Sequence, residues 1–254
     1  MFSAGLEASG LAAAEVAGLR PIEQVMGACV LRTQFYGSAQ PLGVARRRAL
    51  GRMEHDARKR EADAVACVQV THTERAAGES AERDGVIVEA VATGMAVALP
   101  GRPSPPGDPV LTNMTIQECW KLARGGYAPA GIVMSTIADA GSLGGTSGEG
   151  GESVAGTNYE YADISAMFRA AYRRAAQDMR EEAFALGAEG VIAAQIDRRT
   201  TWAGRYVRII LTVIGTAIAS VSDDREAGRP RLRITPVRHA GDLVPPGTRP
   251  SAFS

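Results

Sequence analysis

Three blocks of this chain occur twice, in the same order, and no other feature restricts its possible folds as strongly. Met26-Gly27-Ala28-Cys29-Val30 is answered by Ala130-Gly131-Ile132-Val133-Met134. The run from Ala62 to Val70 (ADAVACVQV) is answered by Ala188 to Ile196 (AEGVIAAQI), and Ala92 to Val97 (ATGMAV) by Val213 to Ile218 (VIGTAI). Any one match could arise by chance. Three in order, with a helical pattern between the first two, mark a duplicated folding unit.

Each unit reads as a helical lead, a strand, a long helix and two further β-rich runs. In the second unit Thr115 and Glu118 are spaced as a capping box ahead of Trp120 and Leu122, and Gly125-Gly126 stops the lead. Phe168, Ala171, Ala175, Met179, Ala183 and Leu186 then recur at helical spacing, with Gly187 placed as a C-cap. In the first unit Leu50, Met53 and Ala57 make a weaker stripe. Short runs rich in β-branched residues predict strands over 25–31, 64–71 and 86–98, then over 131–137, 191–196 and 206–219. The expected class is α+β: two tandem β-α-β-β modules, each an antiparallel sheet covered by one long helix, with short helical leads.

Alternation along these strands leaves both faces apolar. In the last strand Ile209, Leu211 and Val213 point one way, and Ile210, Ile214 and Ile218 the other. One helix per unit covers one face, so the other needs another sheet, from the sister unit or another chain. A tightly associated pair of units and a homo-oligomer are expected. The first module with its lead is placed at 1–98, a Pro/Gly linker at 99–110, the second module with its lead at 111–221, and a disordered tail at 222–254. A Gly/Ser-rich loop is placed at 141–157 inside the second module.

The 28 basic and 28 acidic residues cancel, so no global field favours nucleic acid or an anionic membrane. Arg46-Arg47-Arg48, Arg52 and Arg58-Lys59-Arg60 make the first long helix basic, but Glu54, Asp56 and Glu61 interrupt the run, which reads as a solvated face. Cys29, Cys67 and Cys119 form no CxxC pair, which makes a reducing cytoplasm the default compartment. No apolar run is long enough to cross a bilayer as a helix, and no secretory leader is recognisable at the start of the chain.

The stretch from Glu182 to Ile192 (EAFALGAEGVI) and the ending Val213-Ile214-Gly215-Thr216-Ala217 resemble the helix-to-strand junction and closing strand of the YbjQ-like family. In the first unit the resemblance runs through Lys59 to Val65 and Ala92 to Val97, with Glu61 where the family usually has glycine. The resemblance implies two copies of a dodecin-like fold that assembles into rings, pentameric in many single-module members. It also carries a heavy-metal-binding label.

For a metal the candidate ligands are Cys29, Cys67 and His72, brought together by neighbouring strands. Their counterparts in the second unit are Val133, Ala193 and Arg198, and Cys119 lies opposite Val16, so none is duplicated and core cysteines are favoured. Gln69 and Gln195 are polar and do repeat; on apolar strands they are candidates for lining a pore or pocket of the assembly. His55 reads as a helix-face residue and His239 as a tail residue. The stretch 144–151 is glycine-rich but lacks the Gly-Lys-[Ser/Thr] ending of a phosphate loop, and no hydrolase motif is present. The expectation is a non-enzymatic, cytoplasmic, self-assembling ring or cage protein that offers a cavity or a surface for a protein partner, with no cofactor. The alternative is a metal- or small-ligand-binding protein, a divalent transition metal being the cofactor.

Overall fold

The computed structural model describes residues 12, 14–34, 39–79, 84–99, 107–142, 162–203 and 206–221. The expectations for 143–157, for 100–106 of the linker, for the tail and for His239 lie outside these residues. The first half runs β1 (Arg20–Thr33), α1 (Ala39–Lys59), β2 (Ala64–Ala76) and β3 (Val86–Ala98). After β4 (Val110–Leu111) and α2 (Ile116–Arg124), the second half runs β5 (Tyr127–Ser142), α3 (Ala162–Ala185), β6 (Gly190–Ala203) and β7 (Tyr206–Ser220). Sheet one has the order β1-β3-β2-β4 and sheet two the order β5-β7-β6. In both halves the last strand therefore lies between the first two.

The halves agree in their irregularities as well as in their order. Register shifts fall between Pro21 and Glu23 on β1 and between Pro129 and Gly131 on β5. A second pair falls between Ala66 and Gln69 on β2 and between Ile192 and Gln195 on β6. Inside these bulges Cys67 and Ala193 both take positive φ, 57° and 52°. A Cβ on Gly94 would press on Val65 and the Ala66 carbonyl, and one on Gly215 on Val191 and the Ile192 carbonyl. Each strand glycine thus makes room for its neighbour's bulge.

Packing rests on one repeated stripe. Ala45, Ala49, Met53 and Ala57 of α1 are fully buried, and Ala171, Ala175, Met179 and Ala183 of α3 repeat that series at the same four-residue spacing. Small side chains let each helix lie close on its sheet. At Gly27 a Cβ would collide with the Ala49 carbonyl and the Met53 amide, so α1 meets β1 backbone to backbone.

Three expectations need correction. The strand register pairs Val25 with Gly94 and Val133 with Gly215, so Val25 and Val133 are the equivalent residues. The first sequence block is therefore shifted by four residues, and Ile137 rather than Val133 is the counterpart of Cys29. Second, sheet one is not wholly antiparallel: β4 joins β2 in parallel, Ala64 opposite Val110. Val110 and Leu111 thus pair with the first half's sheet. Third, Gly141 and Ser142 close β5 and are not loop. The capping box of α2 forms as expected, Thr115 accepting from the Glu118 amide and Glu118 from the Thr115 amide.

The two halves pack together as one unit. Sheet two holds α3 on one face, where Val133, Leu211, Val213 and Ala217 meet the α3 stripe. Its second face packs on the first half: Met134, Ile210, Ile132 and Ile214 join the core built by α1 and sheet one. This accounts for β7 being buried on both sides.

Candidate functional site

The contact between the halves contains the most unusual chemistry of the chain. Arg46 projects from α1 and is only 2 % exposed, contrary to the solvated face expected for the basic run. Its guanidinium donates to the paired hydroxyls of Thr212 on β7 (2.5 Å) and Thr136 on β5 (3.2 Å), and to Nδ1 of His72 on β2 (2.5 Å). Because Nδ1 accepts, the His72 proton sits on Nε2. That nitrogen and Arg46 Nε are buried without a hydrogen-bond partner among the described residues. Burial, and then Arg199, lower the Arg46 pKa to about 10 against the pull of Asp197 and Glu74. Burial, Arg46 and Arg199 lower that of His72 to about 4. The cluster is thus a buried cation resting on a neutral imidazole and two hydroxyls. Arg199 donates to the His72 carbonyl, and Arg208 pairs with Glu74 at 3.6 Å, extending the polar seam.

At the edge of β5 the seam opens into a cleft of about 550 Å³ between α1 and α3, lined by residues that include Gln40, Arg47, Ser135, Thr136, Asp178 and Glu182. The carboxylates are held: Asp178 accepts from Ser135 Oγ and Glu182 from the Met134 amide, both at 2.7 Å. A second seam lies in the chain between the halves. Asn113 donates to the Ala193 carbonyl in the β6 bulge and joins Thr216, while the Cys67 amide in the β2 bulge donates to the Met114 carbonyl. One short segment therefore caps both equivalent bulges.

The expected metal ligands do not converge. Strand β3 separates β1 from β2, and Cys29 and His72 flank Ala90 on either side of it. Cys67 lies in the bulge five residues from His72, or roughly 16 Å along a strand. Its neighbour is Cys119 instead: burial raises both thiols, that of Cys119 to about 11. Thiols held protonated are poor ligands. No group of three His, Cys, Asp or Glu side chains placed to hold a metal occurs among the described residues. The described residues do not fit the metal implied by the family label. Gln69 and Gln195 both lie on exposed positions, beside Thr93 and Ile214 respectively, so neither is a buried amide in need of a partner.

Of the other basic residues, Arg58 on α1 pairs with Glu54 and Asp108, and Arg60, just past the helix, pairs with Asp56 and Glu23. No helix among the described residues is long and apolar enough to cross a membrane. The sequence reading missed Arg46 as a site residue. Its only signal was its place in the helical turn beside Ala45 and Ala49, where an arginine must enter the core.

Together the geometry defines an α+β protein of two antiparallel-rich sheets whose halves meet through a polar seam. Residues 127–221 match the YbjQ family model, described as "Putative heavy-metal-binding". The chain is 32% identical over 148 residues to the encapsulin nanocompartment protein Rv1762c of Mycobacterium tuberculosis (strain ATCC 25618 / H37Rv), covering 52% of this chain and 54% of that protein. The match thus spans about half the length of that relative. No solved structure matches the chain.

Proposed function

We propose that this chain is a non-enzymatic building block of a self-assembling ring or cage, and that its first half is a divergent copy of the module matched in its second. The observation that carries the reading is the outer face of sheet one. Ala14 and Ile116 cover its end at Ala66, Met95 and Val97, but along β1 Met26 and Val30 are 59% and 63% exposed. The relative named for a nanocompartment supports assembly in the same direction. The assembly would offer a cavity or a surface for a protein partner, in the cytoplasm.

Native mass spectrometry of protein purified without added metal or chelator tests the proposal. The expected result is a defined multiple of the chain mass with no adduct. A monodisperse monomer would sink it.

A second reading, a small-ligand-binding protein, is favoured by the cleft, whose Arg47, Asp178 and Glu182 suit a ligand with charges of both signs. In the same spectra that reading predicts a small-molecule adduct that is lost in Arg47→Ala.

A further inference from the structure

The two halves share one topology, but their sheets are not equally covered, and the difference follows the register. Met134 on β5 is 5% exposed beneath the first half, whereas its counterpart Met26 is 59% exposed. Thr212 and Ile210 of β7 are buried in the same contact, and their counterparts Val91 and Glu89 on β3 are only half-buried. The covering side shows the same asymmetry. Arg46 of α1 is 2% exposed, but its counterpart on α3, Tyr172, is 53% exposed. Val70 of β2 packs on the common core, whereas its counterpart Ile196 of β6 is 52% exposed.

One chain therefore holds one complete contact, in which a helix and the strand beside it lie on the outer face of a sheet. It also holds both unfilled halves of a second such contact. We propose that a second copy of this chain fills it: α3 and β6 of one copy lie on the outer face of β1 and β3 of the next, repeating the contact between the halves. The occupant is a second copy because the unfilled face and the unfilled cover belong to the same molecule and correspond, position by position, to surfaces already joined within it. The chemistry also fits. Met26, Val30 and Ala28 on the sheet side would meet Tyr172 and Ile196, apolar against apolar, with the Arg75–Glu89 ion pair beside Val30 on the same face. Such a contact is head-to-tail, and head-to-tail contacts close into rings or run on as filaments. The inference rests on the self-assembly reading above and specifies its surface.

Two variants test it, each altering only exposed side chains: Met26→Glu with Val30→Glu, and Tyr172→Glu with Ile196→Glu. Circular dichroism checks that each folds, and light scattering after size exclusion reads the mass. Each variant alone is expected to be a monomer where the wild type is assembled, its self-association weakened at least ~100-fold. Mixed in equal amounts they are expected to give a dimer and nothing larger, because one intact sheet face meets one intact helix face. Variants that assemble like the wild type would overturn the surface and leave self-assembly standing. Monomeric variants that do not pair on mixing would overturn the head-to-tail geometry. A monomeric wild type would remove both.

Discussion

Glu61 occupies a backbone position that suits glycine. Its φ is +55°, and its counterpart Gly187 closes α3 at +69°. A side chain in this left-handed region costs about 1 kcal/mol. Glu61→Gly should therefore stabilise the fold by about that amount, and Gly187→Glu should destabilise it comparably, both read from urea unfolding midpoints. His72 gives the fold a pH dependence. Its pKa falls from 6.5 to about 4 through burial, Arg46 and Arg199, opposed by Asp197. Below pH 6.5 the unfolded chain takes up a proton that the folded chain refuses until about pH 4. Stability from this group is therefore complete above that window and declines as pH falls through it, by on the order of 3 kcal/mol. The difference in unfolding free energy between pH 7 and pH 4.5 should shrink in His72→Gln; an unchanged difference would contradict the buried neutral imidazole. The oddity at Glu61 was visible in the sequence because the family that the chain resembles usually has glycine there. The role of His72 was not, because Arg46 reaches it from a different element.

At the scale of elements, the repeated bulges and helix stripes explain how the same order of strands and helix forms twice from differing residues. The stripe of α3 was legible because Ala171, Ala175, Met179 and Ala183 stand among charged residues. The matching stripe of α1 was obscured by Arg46-Arg47-Arg48, whose first member is buried. Strand ends were less legible than strand centres: β6 continues to Ala203, through Arg198 and Arg199, because polar residues are tolerated on an exposed edge strand. Likewise β4 is only two residues and is a strand only through its parallel pairing with β2. The close approach of α1 to β1 gives a test. Gly27→Val should cost about 3 kcal/mol, because the added atoms meet helix backbone and must displace α1. Its counterpart Ser135 carries a side chain that bonds Asp178 across a wider gap, so Ser135→Gly should cost about 1 kcal/mol. Equal costs from chemical denaturation would contradict the difference in helix seating.

At the scale of the molecule, the alternation of apolar residues on β7 correctly called for cover on both faces, and the first half provides it for sheet two. The same reasoning did not reveal which face would stay open, since that depends on how the halves stack. Nor did it place the candidate metal ligands. Cys29, Cys67 and His72 sit on strands that are neighbours in sequence, but β3 inserts between them. Strand order is a tertiary property that spacing alone does not carry. On the proposed assembly, a single chain has one contact made and the matching pair of surfaces exposed. Oxidation of Met26 by dilute hydrogen peroxide, followed by peptide mass spectrometry on the native protein, reads that surface directly, with buried Met134 as the internal reference. The account predicts that Met26 reacts about as slowly as Met134 when the protein is assembled, and fast in the Tyr172→Glu, Ile196→Glu variant. Fast oxidation of Met26 in the wild-type protein would contradict it.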